Sequence, residues 1–176
     1  NLIDVILTAK MAKKIDKNIH VCLGGPQVNA LPEESIQMTE IDSVVLGEGE
    51  ITFAELVKTI GKGGDLSQVK GIQFKGQGKI ITTAPRGDII DLNSLPFPRR
   101  EALDIRRYYY VAGKGAAWTT MIASRGCPYN CTFCSTPKGG YRVRSASNIV
   151  DEMEECANLG IKEIHFVDDT FNVYPQ

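Results

Sequence analysis

Cys127-Pro-Tyr-Asn-Cys131-Thr-Phe-Cys134 puts three cysteines into eight residues, and no other segment of this 176-residue chain limits its fold so tightly. The spacing offers three soft thiolates from one short loop. A structural zinc site takes four closed ligands, and an ordinary ferredoxin cluster takes four cysteines. A cubane iron–sulfur cluster held by three leaves one iron open to another ligand. Zinc and buried, unreactive thiols are the alternatives. Zinc would need a fourth ligand, and the only two histidines, His20 and His165, fall in expected strands. A disulfide is a poor reading of three crowded thiols with no secretory segment beside them.

The flanks of the loop supply its scaffold. Trp118-Thr-Thr-Met-Ile-Ala123 is apolar and β-branched and predicts a buried strand. Ser135 to Gly140 predicts a loop. A helix is expected from about Ser147 to Leu159, with Ile149, Val150, Met153, Cys156, Ala157 and Leu159 mostly on one face. Gly160 stands at the C-terminal cap position. Ile161 to Val167 predicts a second strand, ending in Asp168-Asp169-Thr170. Strand, ligand loop, helix, strand is a βαβ unit. The loop then lies at the carboxyl end of its first strand, where α/β folds build sites.

The first sixty residues make a different unit. Leu2, Val5, Ile6, Ala9, Ala12 and Ile15 recur at helical spacing. Ile19 to Leu23 is a strand closed by Gly24-Gly25-Pro26, and Pro32-Glu33-Glu34 starts a helix with acids at its positive dipole end. Ser43 to Leu46 is another strand, closed by Gly47-Glu48-Gly49-Glu50. Phe53, Leu56, Val57 and Ile60 mark a further amphipathic helix, ended by Gly61-Lys-Gly-Gly64. Alternating helices and strands give part of a doubly wound sheet. Its glycine turns either make tight connections or let backbone approach a ligand at the strand ends.

Lys70–Lys75 and Lys79–Thr83 flank Gly76-Gln77-Gly78 and predict a hairpin within a connector. Asp88 to Pro98 is expected to be extended. The basic pairs Arg99-Arg100 and Arg106-Arg107 read as solvated surface or ion pairs in preference to phosphate contacts. Tyr108 to Tyr110 read as packing at a domain boundary, and Cys22 and Cys156 as small core residues. The expected division is 1–62, 63–116 and 117–176.

Composition narrows the class. Apolar content of 43% and charge of 23% suit a soluble globular chain. The net charge is −1, which leaves no basic footprint for nucleic acid. No apolar run approaches the roughly 20 residues of a membrane span. An oxygen-sensitive cluster and reduced thiols both point to the cytoplasm.

Ser124-Arg-Gly-Cys-Pro-Tyr-Asn-Cys-Thr-Phe-Cys134 resembles the cluster loop of the radical S-adenosylmethionine (SAM) superfamily. The resemblance implies that Cys127, Cys131 and Cys134 hold a 4Fe–4S cluster whose open iron is chelated by SAM. One electron, from a ferredoxin or flavodoxin, then releases a 5′-deoxyadenosyl radical. Leu23 to Glu34 and Val45 to Leu56 are similar to the second half of the cobalamin-binding domain that precedes many radical SAM domains. That similarity implies that Gly24 and Gly25 lie against the cobalamin tail. Gly47, Glu48, Gly49 and Glu50 would lie on the same edge, or serve the domain interface instead. The Asp-x-His-x-x-Gly segment usual after the first strand of that fold is absent.

The implied whole is α/β. It comprises a partial Rossmann-like cobalamin domain, a hairpin-bearing linker and the first βαβ unit of a TIM-like radical SAM barrel. The chain reads as the middle of a longer enzyme and is expected to be inactive alone. The implied reactions are cobalamin-dependent methyl transfer or cyclisation on an unactivated carbon, with the small-molecule substrate undefined. The alternatives are a methylthiotransferase-like enzyme without cobalamin and a non-catalytic electron-transfer module. In the family an aromatic at the position of Phe133 packs by the adenine of SAM; loop packing is the plainer role. Asp168 or Asp169 could bind the SAM amino group or a ribose hydroxyl, or act only as turn acids.

Overall fold

The computed structural model describes residues 2–108, 116–134, 140–171 and 173, and the chain folds as two units, Asn1–Ile89 and Ile90–Gln176. In the first unit the helical repeat forms α1, Leu2–Ile15. Only Ala9 is fully buried, and Ile15 is 80% exposed. Lys13 fixes the end of this helix. Its ammonium lies 2.6 Å from the Asp42 carboxylate and 2.7 Å from the Ile19 carbonyl. Asp42 also accepts from the Val21 amide at 2.7 Å. The expected strand from Ile19 is reduced to β1, Cys22–Leu23. The chain is still turning at Ile19, whose amide donates to the Asp16 carbonyl.

Pro26 opens a short helix that periodicity does not reveal, α2 (Pro26–Ala30), and Pro32 opens α3 (Pro32–Gln37) as expected. Proline suits both starts because the first-turn amide has no partner to lose. Next come β2 (Ser43–Val45), α4 (Gly49–Gly61), β3 (Ile72–Gly76) and β4 (Lys79–Thr82). One sheet runs β1-β2-β3-β4, parallel at its first pair and antiparallel at the other two. The hairpin expected in a connector therefore belongs to this sheet. Its inner strand pairs with β2, and it buries Ile72 and Phe74 beside Val45, Leu56 and Val69. A second cluster joins Ala9, Val28, Ile36, Ile41 and Val44. Thr52 and Glu55 bind the Arg86 guanidinium, at 2.8 Å for Thr52. The segment after β4 is thereby held to α4.

The second unit carries the βαβ motif. β5 (Trp118–Met121) leads to β6 (Ser124–Arg125), which pairs with β7 (Arg142–Val143). Helix α5 (Ala146–Asn158) follows, and β8 (Glu163–Phe166) lies parallel to β5 in the register Trp118↔Glu163 to Met121↔Phe166. Ser145 caps α5 by accepting from the Asn148 amide. At the other end Gly160 takes φ +81°, with Gly160 and Ile161 amides donating to Ala157 and Cys156 carbonyls. That is a Schellman stop. Cys156 and Ile161 pack against Met121.

The buried stripe of α5 differs from the expected one. Val150, Met153 and Leu159 are exposed, whereas Glu152 is 2% exposed. Its carboxylate meets two arginines. Arg100 Nη2 lies 2.6 Å away, and Arg144 pairs with the other oxygen. Arg100 also donates to the Thr120 carbonyl and the Thr119 hydroxyl, each at 3.0 Å. Arg144 donates to the Ile122 carbonyl at 2.9 Å and lies 5.4 Å above the Phe97 ring. Arg100 is thus an ion pair, as one reading of the basic pair has it, but an internal one. Tyr108 is 53% exposed, and Tyr109 and Tyr110 lie outside the described residues. Among the described residues no helix is long and apolar enough to cross a membrane.

Candidate functional site

The cysteine loop starts where β5 gives way to β6, at the carboxyl end of the strand. Two devices hold its base. Asp168, two residues past β8, accepts from the Ala123 amide at 3.0 Å, the Ser124 hydroxyl at 2.5 Å and the Ser124 amide. The Thr170 hydroxyl lies 3.1 Å from the Cys127 sulfur. Thr170 is itself placed by its carbonyl, which accepts from Tyr141 Oη at 3.3 Å; that phenol also reaches the Val173 carbonyl at 2.9 Å. The turn after β8 therefore grips the first residues of the loop.

Cys127 is half-buried, and Cys131 and Cys134 are exposed. The Cys134 amide donates to the Cys131 carbonyl, so the two outer cysteines share one tight turn. None of the five cysteines forms a disulfide. Burial pushes the Cys156 and Cys22 thiols above their ordinary pKa, which keeps them protonated and inert. His20 belongs to the first unit and bonds the Ser43 hydroxyl at 2.8 Å; its burial lowers its pKa and favours the neutral ring. His165 packs on Trp118 with the rings tilted by 48° and their centroids 5.2 Å apart.

Among the described residues no three His, Cys, Asp or Glu side chains converge enough to hold a single metal ion. A cubane cluster spans more space than one ion and holds its cysteines further apart. Among the described residues the donor set is three cysteine sulfurs on one open loop. That set fits a cluster with an open iron, whereas a structural zinc site would need a fourth ligand.

The other candidates separate. Phe133 is 91% exposed beside the last cysteine and is not packed within its loop. Asp168 has its carboxylate engaged by loop donors, whereas Asp169 is exposed. In the first unit the two glycine turns are tied together, because Asn29 accepts from the Gly47 amide at 2.8 Å. Gly25 has φ +93° and Gly47 has φ +72°, and a Cβ at either would meet only open space. A Cβ on Gly24 would face Val45 at 3.8 Å, and one on Gly49 would face the same side chain at 3.6 Å. Glu48 accepts from the Ile89 amide at 2.7 Å, so its carboxylate closes the end of this unit. Glu50 is exposed in the first turn of α4.

Sequence reasoning passes over Thr170 and the Arg100–Glu152–Arg144 cluster. Glu152 does carry a signal. It sits three residues after Ile149 and four before Cys156, on the stripe that faces the core.

Residues 121–176 match the radical SAM superfamily. That match takes in 56 of the 176 residues. It is 38% identical to an uncharacterized methyltransferase of Pyrococcus horikoshii over 97% of its own length and 38% of that protein's. It is 32% identical to the anaerobic magnesium-protoporphyrin IX monomethyl ester cyclase of Rubrivivax gelatinosus over 84% of its length and 27% of the cyclase. The radical SAM methyltransferase TsrM of Kitasatospora setae, solved with cobalamin and a [4Fe-4S] cluster, shares its fold. There the TM-score is 0.66 at 22% identity, covering 96% of this chain and 34% of TsrM. The chain thus spans 27–38% of the length of these proteins. The matched segment opens at Met121, at the end of β5, and contains the whole cysteine loop and the βαβ return.

Proposed function

We propose that the protein containing this chain is a radical SAM enzyme that uses cobalamin for methyl transfer or cyclisation on an unactivated carbon. The single observation that carries this reading is the thiolate loop. Three cysteines stand on one loop at the carboxyl end of a parallel strand, fastened by the turn after the neighbouring strand. The methyltransferase and cyclase relatives supply the two reaction classes.

Cys127, Cys131 and Cys134 would hold a 4Fe–4S cluster, which when bound supplies one electron and an open iron at which SAM is cleaved. Phe133 would cover the adenine of SAM, and Asp169, at the carboxyl end of β8, would bind its amino group or ribose. Asp168 instead orients the loop. Gly25 and Gly47, with open space above them, would admit cobalamin, which when bound supplies a transferable methyl group. A ferredoxin or flavodoxin in the cytoplasm would deliver the electron. The protein's part is to bind, orient and shield these groups.

The test is made on the full-length protein. Reconstituted anaerobically, it should convert SAM to 5′-deoxyadenosine under a strong reductant and take up cobalamin with the corresponding visible spectrum. A cluster that cleaves no SAM would leave only electron transfer. SAM cleavage without cobalamin uptake would leave the cobalamin-free reading. Glycine variants locate the corrin. Gly47→Ala should weaken uptake at least tenfold. Gly78→Ala should leave it unchanged, although Gly78 also has positive φ (+75°) and open surroundings, in the hairpin turn. Both variants carry backbone strain of about 1–3 kcal/mol, so equal effects on uptake would count against the site.

A further inference from the structure

We propose that Thr170 tunes the reduction potential of the cluster by donating a hydrogen bond to the Cys127 sulfur. This rests on the proposed cluster ligation, and it goes beyond it by naming a residue that controls the electron-transfer step. The hydroxyl stands 3.1 Å from the sulfur. A ligating cysteine is a thiolate and has no proton, so the threonine must be the donor.

The threonine is held for this task from several sides. Its carbonyl lies 3.3 Å from Tyr141 Oη, whose one proton is shared with the Val173 carbonyl at 2.9 Å. Two residues earlier Asp168 is bound to Ala123 and Ser124, and one residue later Phe171 packs on Phe166 with centroids 4.7 Å apart. The backbone of Thr170 therefore has little freedom to withdraw its hydroxyl. Adding an electron to a cluster increases negative charge on its sulfurs. A hydrogen bond to a ligand sulfur stabilises the reduced form more than the oxidised form, and hydrogen bonds of this kind are among the factors that set cluster potentials. Thr170 thus raises the potential and eases reduction by the electron donor. It is a positioning and tuning residue and touches neither substrate nor SAM in this role.

The experiment compares the parent with Thr170→Val and Thr170→Ser in the full-length protein, loaded with iron and sulfide under anaerobic conditions. The readout is the midpoint potential from a redox titration followed by electron paramagnetic resonance, with iron and sulfide content measured alongside. The valine variant should keep the parent's iron content. Its reduction equilibrium should fall about tenfold, a negative shift of about 59 mV for one electron. The serine variant should titrate like the parent. Should valine prevent loading, Thr170→Ala carries the same comparison. A valine or alanine variant with the parent's potential overturns the proposal, and so does a serine variant that follows valine. These outcomes leave the cluster reading standing. A parent that binds no iron and sulfide overturns both.

Discussion

Alanine in place of Cys127, Cys131 or Cys134 is expected to abolish cluster assembly. The parent full-length protein should hold about four irons and four sulfides per chain after anaerobic reconstitution, as a cubane requires. Each single variant should hold close to none, because the two remaining cysteines are too few to retain a cubane cluster. Cys22→Ala and Cys156→Ala give the contrast. Cys22 packs against the core of the first unit and Cys156 against Met121 and Ile161, and burial keeps both thiols protonated. Cys156→Ala removes a fully buried sulfur and should lower stability by about 1 kcal/mol while leaving iron content intact. Metal and sulfide analysis of the purified variants decides the matter. Stoichiometric zinc without sulfide in the parent would refute the cluster, and an equal iron loss in the Cys156 variant would show that stability alone governs loading.

The contrast among these five cysteines is legible in the sequence, because ligand spacing and apolar periodicity are local properties of the chain. So is the βαβ unit. Trp118 to Met121 and Glu163 to Phe166 pair in parallel, separated by a helix with a serine cap and a glycine stop. Each signal there sits within a few residues of the feature it specifies.

What escapes the sequence is long-range. The hairpin is visible from its glycine turn, but its partner is not. Ser43–Val45 lies about thirty residues away, and only the fold shows that Ile72 and Phe74 complete the sheet. Asp168 and Asp169 look equivalent as a pair at a strand end. Alternation around the turn sends the first back to the Ala123 and Ser124 amides and leaves the second exposed. Arg100 looks like half of a surface pair. Arg99 indeed remains outside, 83% exposed at its side chain, while Arg100 turns inward to meet a carboxylate 52 residues away. A charge run reports polarity but not direction, and direction depends on which partner is buried.

That partner carries the second large effect. Glu152→Ala should destabilise the protein by about 3–5 kcal/mol, because it leaves two guanidinium groups facing an apolar interior without their counter-charge. The side chains concerned are 6% exposed for Arg100, 2% for Glu152 and 11% for Arg144, so water cannot replace the lost carboxylate. The damage should also travel to the site. Arg100 holds the Thr120 carbonyl and Arg144 the Ile122 carbonyl, on either side of Met121, where β5 ends and the approach to the cysteine loop begins. Denaturant unfolding measures the loss. A triple substitution, Arg100→Met with Glu152→Leu and Arg144→Met, separates charge from packing. It removes every buried charge of the cluster and should recover most of the stability. It should not recover cluster loading, since the two carbonyl clamps are still missing. A Glu152→Ala protein as stable as the parent would mean that the arginines find water or other acceptors. A triple variant that loads iron normally would mean that Asp168 and Thr170 suffice to set the loop.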